Sequence, residues 1–496
     1  MAVEYEADSS GVSSAVPECS SHRSSDPEDL PPVNIRISVF FDGTGNNLFN
    51  TDRREDGRGT RGDRDHRGSY ENAYSNNARL ATNITTTNSE NNFHFPVYVE
   101  GVGTYHDSAD DTRGMGFGSG NRGVIQRVVN CVIRTGNSII SLCNGNRRIQ
   151  SLKIDVFGFS RGAAAARYFV FRVLHTPVDT SSTDFLIHNL TNSYGFSISE
   201  KKMPFVGLFD SVASFRPHVD LSFENDRRQL QLDSIQRPEV EKVVQLAAAD
   251  EHRLNFPLSN IASAGSKGTQ IFLPGVHSDI GGGYNNITLG NMIEDNLVVF
   301  ELEGNQFTGV AQRNIMYETC NRVKDNLLSL GWYNNCETEI RPGLSRSELM
   351  VRFNEDTFSY QVLANRANIS NKYSWIALHI MAEKAGEKDL HFDLAEFPLS
   401  DDSRLVRFKM RIENNTSSDQ QWMTANDPQL KDIRHSFFHF SSHYTPLDIW
   451  VGLAWPMQPQ LCTRTGVYAD NHDNDIHLNE TTGPIQLIRR RKILEG

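Results

Sequence analysis

A serine set between two glycines, in "GFSRG" (Gly158, Ser160, Gly162), has a type and spacing suited to covalent chemistry. Glycine on either side lets a chain turn sharply from strand to helix and leaves the serine oxygen raised above the sheet as a nucleophile. A serine hydroxyl is weak unaided: it needs a histidine to take its proton and a carboxylate to orient that histidine. In such a turn the order along the chain is Ser, then Asp or Glu, then His. "VGLFDSV" presents Asp210, and "PGVHSDIGGGY" presents His277 and Asp279, each where an apolar run stops. Late in the chain "HSFFHFSSHYTP" offers His439 and His443 as alternative bases, with Asp279 then the acid. An oxyanion hole requires backbone donors: the N–H of Arg161, after the serine, and those of Gly43 and Thr44 in the loop "FDGTGNN". Each residue also has a plainer use, since an Asp at a strand end commonly caps a helix and a polar loop commonly only turns.

These residues need a scaffold of strands ending on one rim. "VNIRISVFF", "FHFPVYV", "LKIDVF", "MPFVGLFDSV" and "TQIFLPGV" are rich in β-branched and aromatic residues and stop at glycine or polar loops. Between them "NARLATNI", "NRGVIQRVVNCVIRTGNSIISL" and "RGAAAARYFVFRVL" have helical character, and "EVEKVVQLAAADEHRLNF" reads as a further helical stretch. Strand and helix in alternation predict an α/β fold of the α/β-hydrolase type, a mostly parallel sheet covered by helices on both faces. Beyond about residue 290 the alternation weakens, although "LGNMIEDNLVVFELEG" and "VAQRNIMYETCNRVKDNLLSLGWY" look helical. The expected organisation is a flexible tail over 1–30, a catalytic core over 31–290, and an inserted or appended module over 291–430. The last segment, 431–496, returns to the core and ends in a solvated basic tail, "IRRRK".

Composition narrows the function classes. A net charge of −12 argues against a general nucleic-acid binder, which needs a basic face. Six cysteines scattered singly lack both disulfide-scaffold density and zinc spacing, and "DNHDND" lacks the glycine and distal Glu of a calcium loop, so neither metal nor cofactor is expected. No run of about 18 apolar residues predicts a membrane span. The serine-rich start has no basic stretch followed by an apolar core, so the protein is expected to be made in the cytoplasm without a signal peptide. "YTPLDIWVGLAWPMQP", with Trp450 and Trp455, has the character of a core element or of a surface that enters a membrane interface.

Taken in order, "VFFDGTGNN", "VEGVGT", "GFSRGAAAAR", "GLFDSV", "AADEHR" and "PGVHSDIGGGY" resemble the bacterial type VI secretion lipase effector family 1. The resemblance covers roughly residues 33 to 290, plus "FFHFSSHYTP". It implies a phospholipase of A1 or A2 type acting on a phospholipid membrane, with the triad Ser160, Asp210 and His277. It also implies secretion into the periplasm of a rival cell, a secretion spike protein as carrier and a cognate immunity protein as antagonist. An esterase or thioesterase for soluble acyl substrates, and a non-catalytic binding module that keeps the turn as architecture, are the competing readings.

Overall fold

The structure is a computed structural model. It describes residues 6–7, 11–14, 31–56, 68–106, 108–111, 115, 118–179, 181–214, 226–253, 256–286, 297–304, 310–335, 338–343, 358–364, 366, 368–414, 422, 428–441, 461–462, 488–489, 491 and 493–496. His443, the tryptophan-bearing run and "DNHDND" lie outside the described residues.

One sheet positions the candidate residues. Its main strands are β1 (Val12–Ser14), β2 (Val33–Phe41), β3 (Asn92–Val99), β4 (Arg148–Phe159), β5 (Val206–Phe209), β6 (Val243–Ala248) and β7 (Gly268–Leu273). They lie in the order β1-β3-β2-β4-β5-β6-β7. All neighbours are parallel except β1, which runs antiparallel to β3. The strand order reverses between β2 and β4, so the chain leaves these two strands toward opposite sides at the C-terminal edge.

The near-continuous apolar runs of β5 and β6 follow from burial on both faces. Ile35, Ile37, Val39 and Phe41 of β2 face helices α1 (Val124–Cys143) and α2 (Arg161–Leu174), whereas Phe40 joins the core on the other side. Ala163 to Ala166 of α2 are all buried, and their single methyl groups let that helix lie close to the strands. The opposite face is covered by helix α3 (Ser374–Gly386), whose Met381 packs over Gly207 of β5: a methyl group at Gly207 would meet its sulfur at 2.9 Å.

Four expectations are corrected. The tail over 1–30 contributes a strand, for Gly11–Ser14 is buried and β1 pairs with the exposed edge of β3. The stretch from Glu239 is no helix: its "VVQLAA" is β6, because a β-branched, wholly buried run fits between two parallel neighbours whatever its flanking periodicity. "LVVFELEG", Leu297–Gly304, is likewise a strand. It forms a three-stranded antiparallel sheet with Thr338–Gly343 and Phe358–Ala364, of which Phe358–Ala364 is central. Finally, the stretch 291–430 does not stand apart: α3, the buried Leu405, Phe408 and Ile412, and Val362 and Ala364 of the small sheet all belong to the same core as Phe40 and Phe157. A parallel sheet needs cover on both faces, and the helices before residue 290 cover chiefly one.

Phe157 of β4 is fully buried and stacks on Phe40 at 4.9 Å between ring centroids. Phe157→Ala should lower stability by about 3–5 kcal/mol in urea unfolding, the range for a truncated core aromatic.

Candidate active site

β4 delivers Ser160 at the strand-to-helix turn into α2. Ser160 has φ 59° and ψ −127°, a backbone region that non-glycine residues rarely enter. Three contacts hold it there: its N–H donates to Phe209 O (3.0 Å), and its carbonyl accepts from Ala163 N (3.0 Å) and Val212 N (3.3 Å). The flanking glycines are required by close approach. A methyl group at Gly158 would lie 2.4 Å from Gly162 O, and one at Gly162 would lie 2.3 Å from Phe41 O.

β5 delivers Asp210, also at positive φ (45°), and a loop after β7 delivers His277 at the start of the short helix His277–Gly281. His277 Nδ1 lies 2.5 Å from Asp210 Oδ2. The histidine ring is held between Phe159, the residue before the serine (centroids 4.7 Å apart), and the edge of Phe256 (4.9 Å). Burial pushes the His277 pKa below the ordinary imidazole value, and Asp210 only partly opposes this. Burial would raise the Asp210 pKa, but Arg491 and His277 outweigh it and hold the carboxyl below its usual range.

Asp279 and His439 form a second pair, with His439 Nδ1 2.8 Å from Asp279 Oδ1 and the ring stacked on Tyr284. Asp279 also accepts the backbone N–H of Val276, at the turn that presents His277. Burial raises its pKa, against the pull of His439.

Of the proposed oxyanion donors, Gly43 is corrected. Its N–H donates to Asp42 Oδ1 at 2.7 Å, and a donor already bonded to a buried carboxyl is not available to a reaction intermediate. Thr44 is different, for neither its N–H nor its buried Oγ1 has a hydrogen-bond partner among the described residues. Arg161 N–H lies in the first turn of α2, and its guanidinium bonds to Met115 O.

Three residues of the site had no role in the sequence reading. Glu251, fully buried, binds Arg253 through two charge-assisted bonds of 2.9 Å and accepts the backbone N–H of His277 at 3.2 Å. Only their place in the "AADEHR" motif marked them. Arg491 overturns the reading of "IRRRK" as a solvated tail: it is 4% exposed and binds both oxygens of Asp210, the Nη2 bond being 2.9 Å. Nothing in a run of three arginines says which one turns inward. At the other end of the strands a hollow lined by Arg36, Glu200, Lys202, Glu241 and Lys388 holds mutually paired charges and no nucleophile.

Fold and site define an α/β protein in which a strained serine and a buried histidine–aspartate pair share the C-terminal rim of a mostly parallel sheet. Residues 179–298 match the family model described as the type VI secretion system phospholipase effector Tle1-like catalytic domain, in agreement with the resemblance of the motifs. That stretch includes Asp210 and His277 and begins after Ser160. Among solved structures, the chain is similar to a Tle1 effector bound to the VgrG spike of the type VI secretion system. Identity is 21%, coverage 86% of this chain and 92% of that one, and the TM-score 0.57. An uncharacterised protein from Pseudomonas aeruginosa matches at 17% identity over 78% of this chain and 51% of that one, with a TM-score of 0.39. No curated protein matches the chain in sequence.

Asp42 supplies a test of the loop beside the serine. Burial raises its pKa to about 6, against bonds from Ser75, Tyr98 and Gly43 that lower it. Between the ordinary value of 3.8 and about 6, the folded protein keeps a proton that the unfolded chain releases. This contribution to stability therefore falls as pH rises through that window. Asp42→Asn should flatten the stability profile between those limits, measured by urea melts of both proteins.

Proposed function

We propose that the protein is a serine-dependent phospholipase of A1 or A2 type, acting as an antibacterial type VI secretion effector. The observation that carries this reading is Ser160 held at positive φ on a strand-to-helix turn, with the His277–Asp210 pair stacked against the adjoining Phe159. His277 takes the proton of Ser160 through Nε2 as the serine oxygen attacks the ester carbonyl. Asp210 keeps the Nδ1 proton facing it and stabilises the imidazolium that forms. The N–H groups of Arg161 and Thr44 receive the negative oxygen of the tetrahedral intermediate. The imidazolium then protonates the departing lysophospholipid alkoxide, and water, activated by the same histidine, releases the fatty acid.

The matched family and the spike-bound neighbour support carriage on the secretion spike; delivery into the periplasm of a target cell, with an immunity protein guarding the producer, rests on the resemblance of the motifs. No helix among the described residues is long and apolar enough to cross a membrane.

Incubation with phospholipids carrying distinguishable acyl chains tests the chemistry and reports which ester is cut. Ser160→Ala should lose at least about a thousandfold in kcat, and undiminished release of fatty acid by this variant would refute the reading. His277→Ala should lose a similar factor, whereas His439→Ala should lose less than about tenfold if its pairing with Asp279 only shapes the His277 turn. The reverse order would make His439 the base. Because a neutral His277 is the active form and burial lowers its pKa, the acid limb of kcat/KM should fall below the ordinary histidine value of 6.5.

A further inference from the structure

We propose that Arg491 is a positioning residue for the hydrolysis, clamping both oxygens of Asp210 so that a residue remote in sequence completes the site. This rests on the reading of Ser160, His277 and Asp210 given above.

The fork of Arg491 is itself fixed. Besides Asp210, its Nε donates to Phe256 O at 2.7 Å and its Nη1 to Ala248 O at 3.3 Å. Phe256 also packs its ring edge against His277, so one guanidinium joins the acid to the wall of the base. The chain that follows, over 493–496, is pinned to the same wall. Ile493–Leu494 pairs in parallel with Leu258–Ser259, Asn260 N donates to Leu494 O (2.9 Å), and Gly496 N donates to Asn260 Oδ1 (3.1 Å). Ser259 N in turn donates to Ser211 O, next to Asp210.

Together these contacts use the acceptor sites of Asp210. Oδ1 takes Ala248 N–H and Arg491, while Oδ2 takes His277 and Arg491. A carboxylate so bound cannot rotate away from the histidine, and a bidentate guanidinium sets its plane as no single donor could. The clamp also sets charge. Among the described residues, the charged groups facing the His277–Asp210 pair are Arg491 and, from the loop after β6, Glu251 and Arg253. Glu251 and Arg253 neutralise one another, which leaves Arg491 as the counter-charge of Asp210. Without it the buried negative charge would act more strongly on His277 and make the imidazole more basic.

The test compares wild type, Arg491→Lys, Arg491→Gln and Ser160→Ala on phospholipid micelles, with kcat and KM measured from pH 4 to 9 and folding checked by circular dichroism. Arg491→Lys keeps the charge and loses the fork, so kcat should fall roughly tenfold to a hundredfold, the range of a charge-assisted hydrogen bond, with KM and the acid limb unchanged. Arg491→Gln should lose at least as much and move the acid limb to higher pH. If both variants fold and keep the wild-type kcat, or lose activity only in proportion to lost folded protein with the acid limb unmoved, the inference is overturned. If Arg491→Gln does not fold, the kcat against KM of Arg491→Lys decides by the same criteria. An active Ser160→Ala would instead sink the underlying reading, so the two failures are distinguishable.

Discussion

Asp210 has no exposed surface, and an ionised carboxylate in such a place costs several kcal/mol unless partners replace the water it has lost. Much of the site follows from meeting that demand. A histidine takes one oxygen, the backbone N–H of Ala248 at the end of β6 takes the other, and an arginine bridges both. Those partners arrive from three separate stretches of chain, so a folded core is a condition for the pair to exist. The same burial that makes the carboxylate expensive lowers the basicity of His277 and keeps its ring neutral, the state a proton acceptor needs.

A second layer of buried charge supports this first one. Glu251 and Arg253 neutralise each other, and Glu251 also receives the backbone N–H of His277 and the hydroxyl of Ser441. Asp279 performs a parallel task, receiving Val276 N–H and the ring of His439. With Asp250 receiving Gly275 N–H, the turn bearing His277 is held by three carboxylates on its backbone while Asp210 bonds its ring. Strain belongs to the same design, for Ser160 and Asp210 are two of the six described non-glycine residues with positive φ. Such conformations persist only where surrounding contacts over-determine them, and here the sheet edge and the close approach of Gly162 to β2 do so.

Several of these features could be read from the residues. Gly158, Ser160 and Gly162 lie at the predicted strand-to-helix turn, and Asp210 and His277 lie at the predicted strand ends and meet. Local pattern carries that information because a doubly buried strand must be apolar and a close turn must have glycine. Where two elements compete for one pattern, local reading failed. "VVQLAA" follows charged residues of helical spacing, yet its place between two parallel neighbours made it β6. Gly43 had the right residue type for an exposed donor, but the neighbouring Asp42 captures its N–H, a contact decided by side-chain orientation.

By itself the amino-acid order determined the glycine-flanked turn at Ser160, the candidates for acid and base, and a parallel sheet that brings their strand ends to one rim. Tertiary structure decided the pairing: His277 with Asp210 and His439 with Asp279, where the sequence offered both an Asp210–His277 arrangement and one of Asp279 with a late histidine. It also decided that Arg491 faces inward against a carboxylate 281 residues away. The physical reason is range. Turn geometry and burial periodicity act over a few residues and leave a mark in composition, whereas a buried charge selects whichever counter-charge the finished fold carries to it.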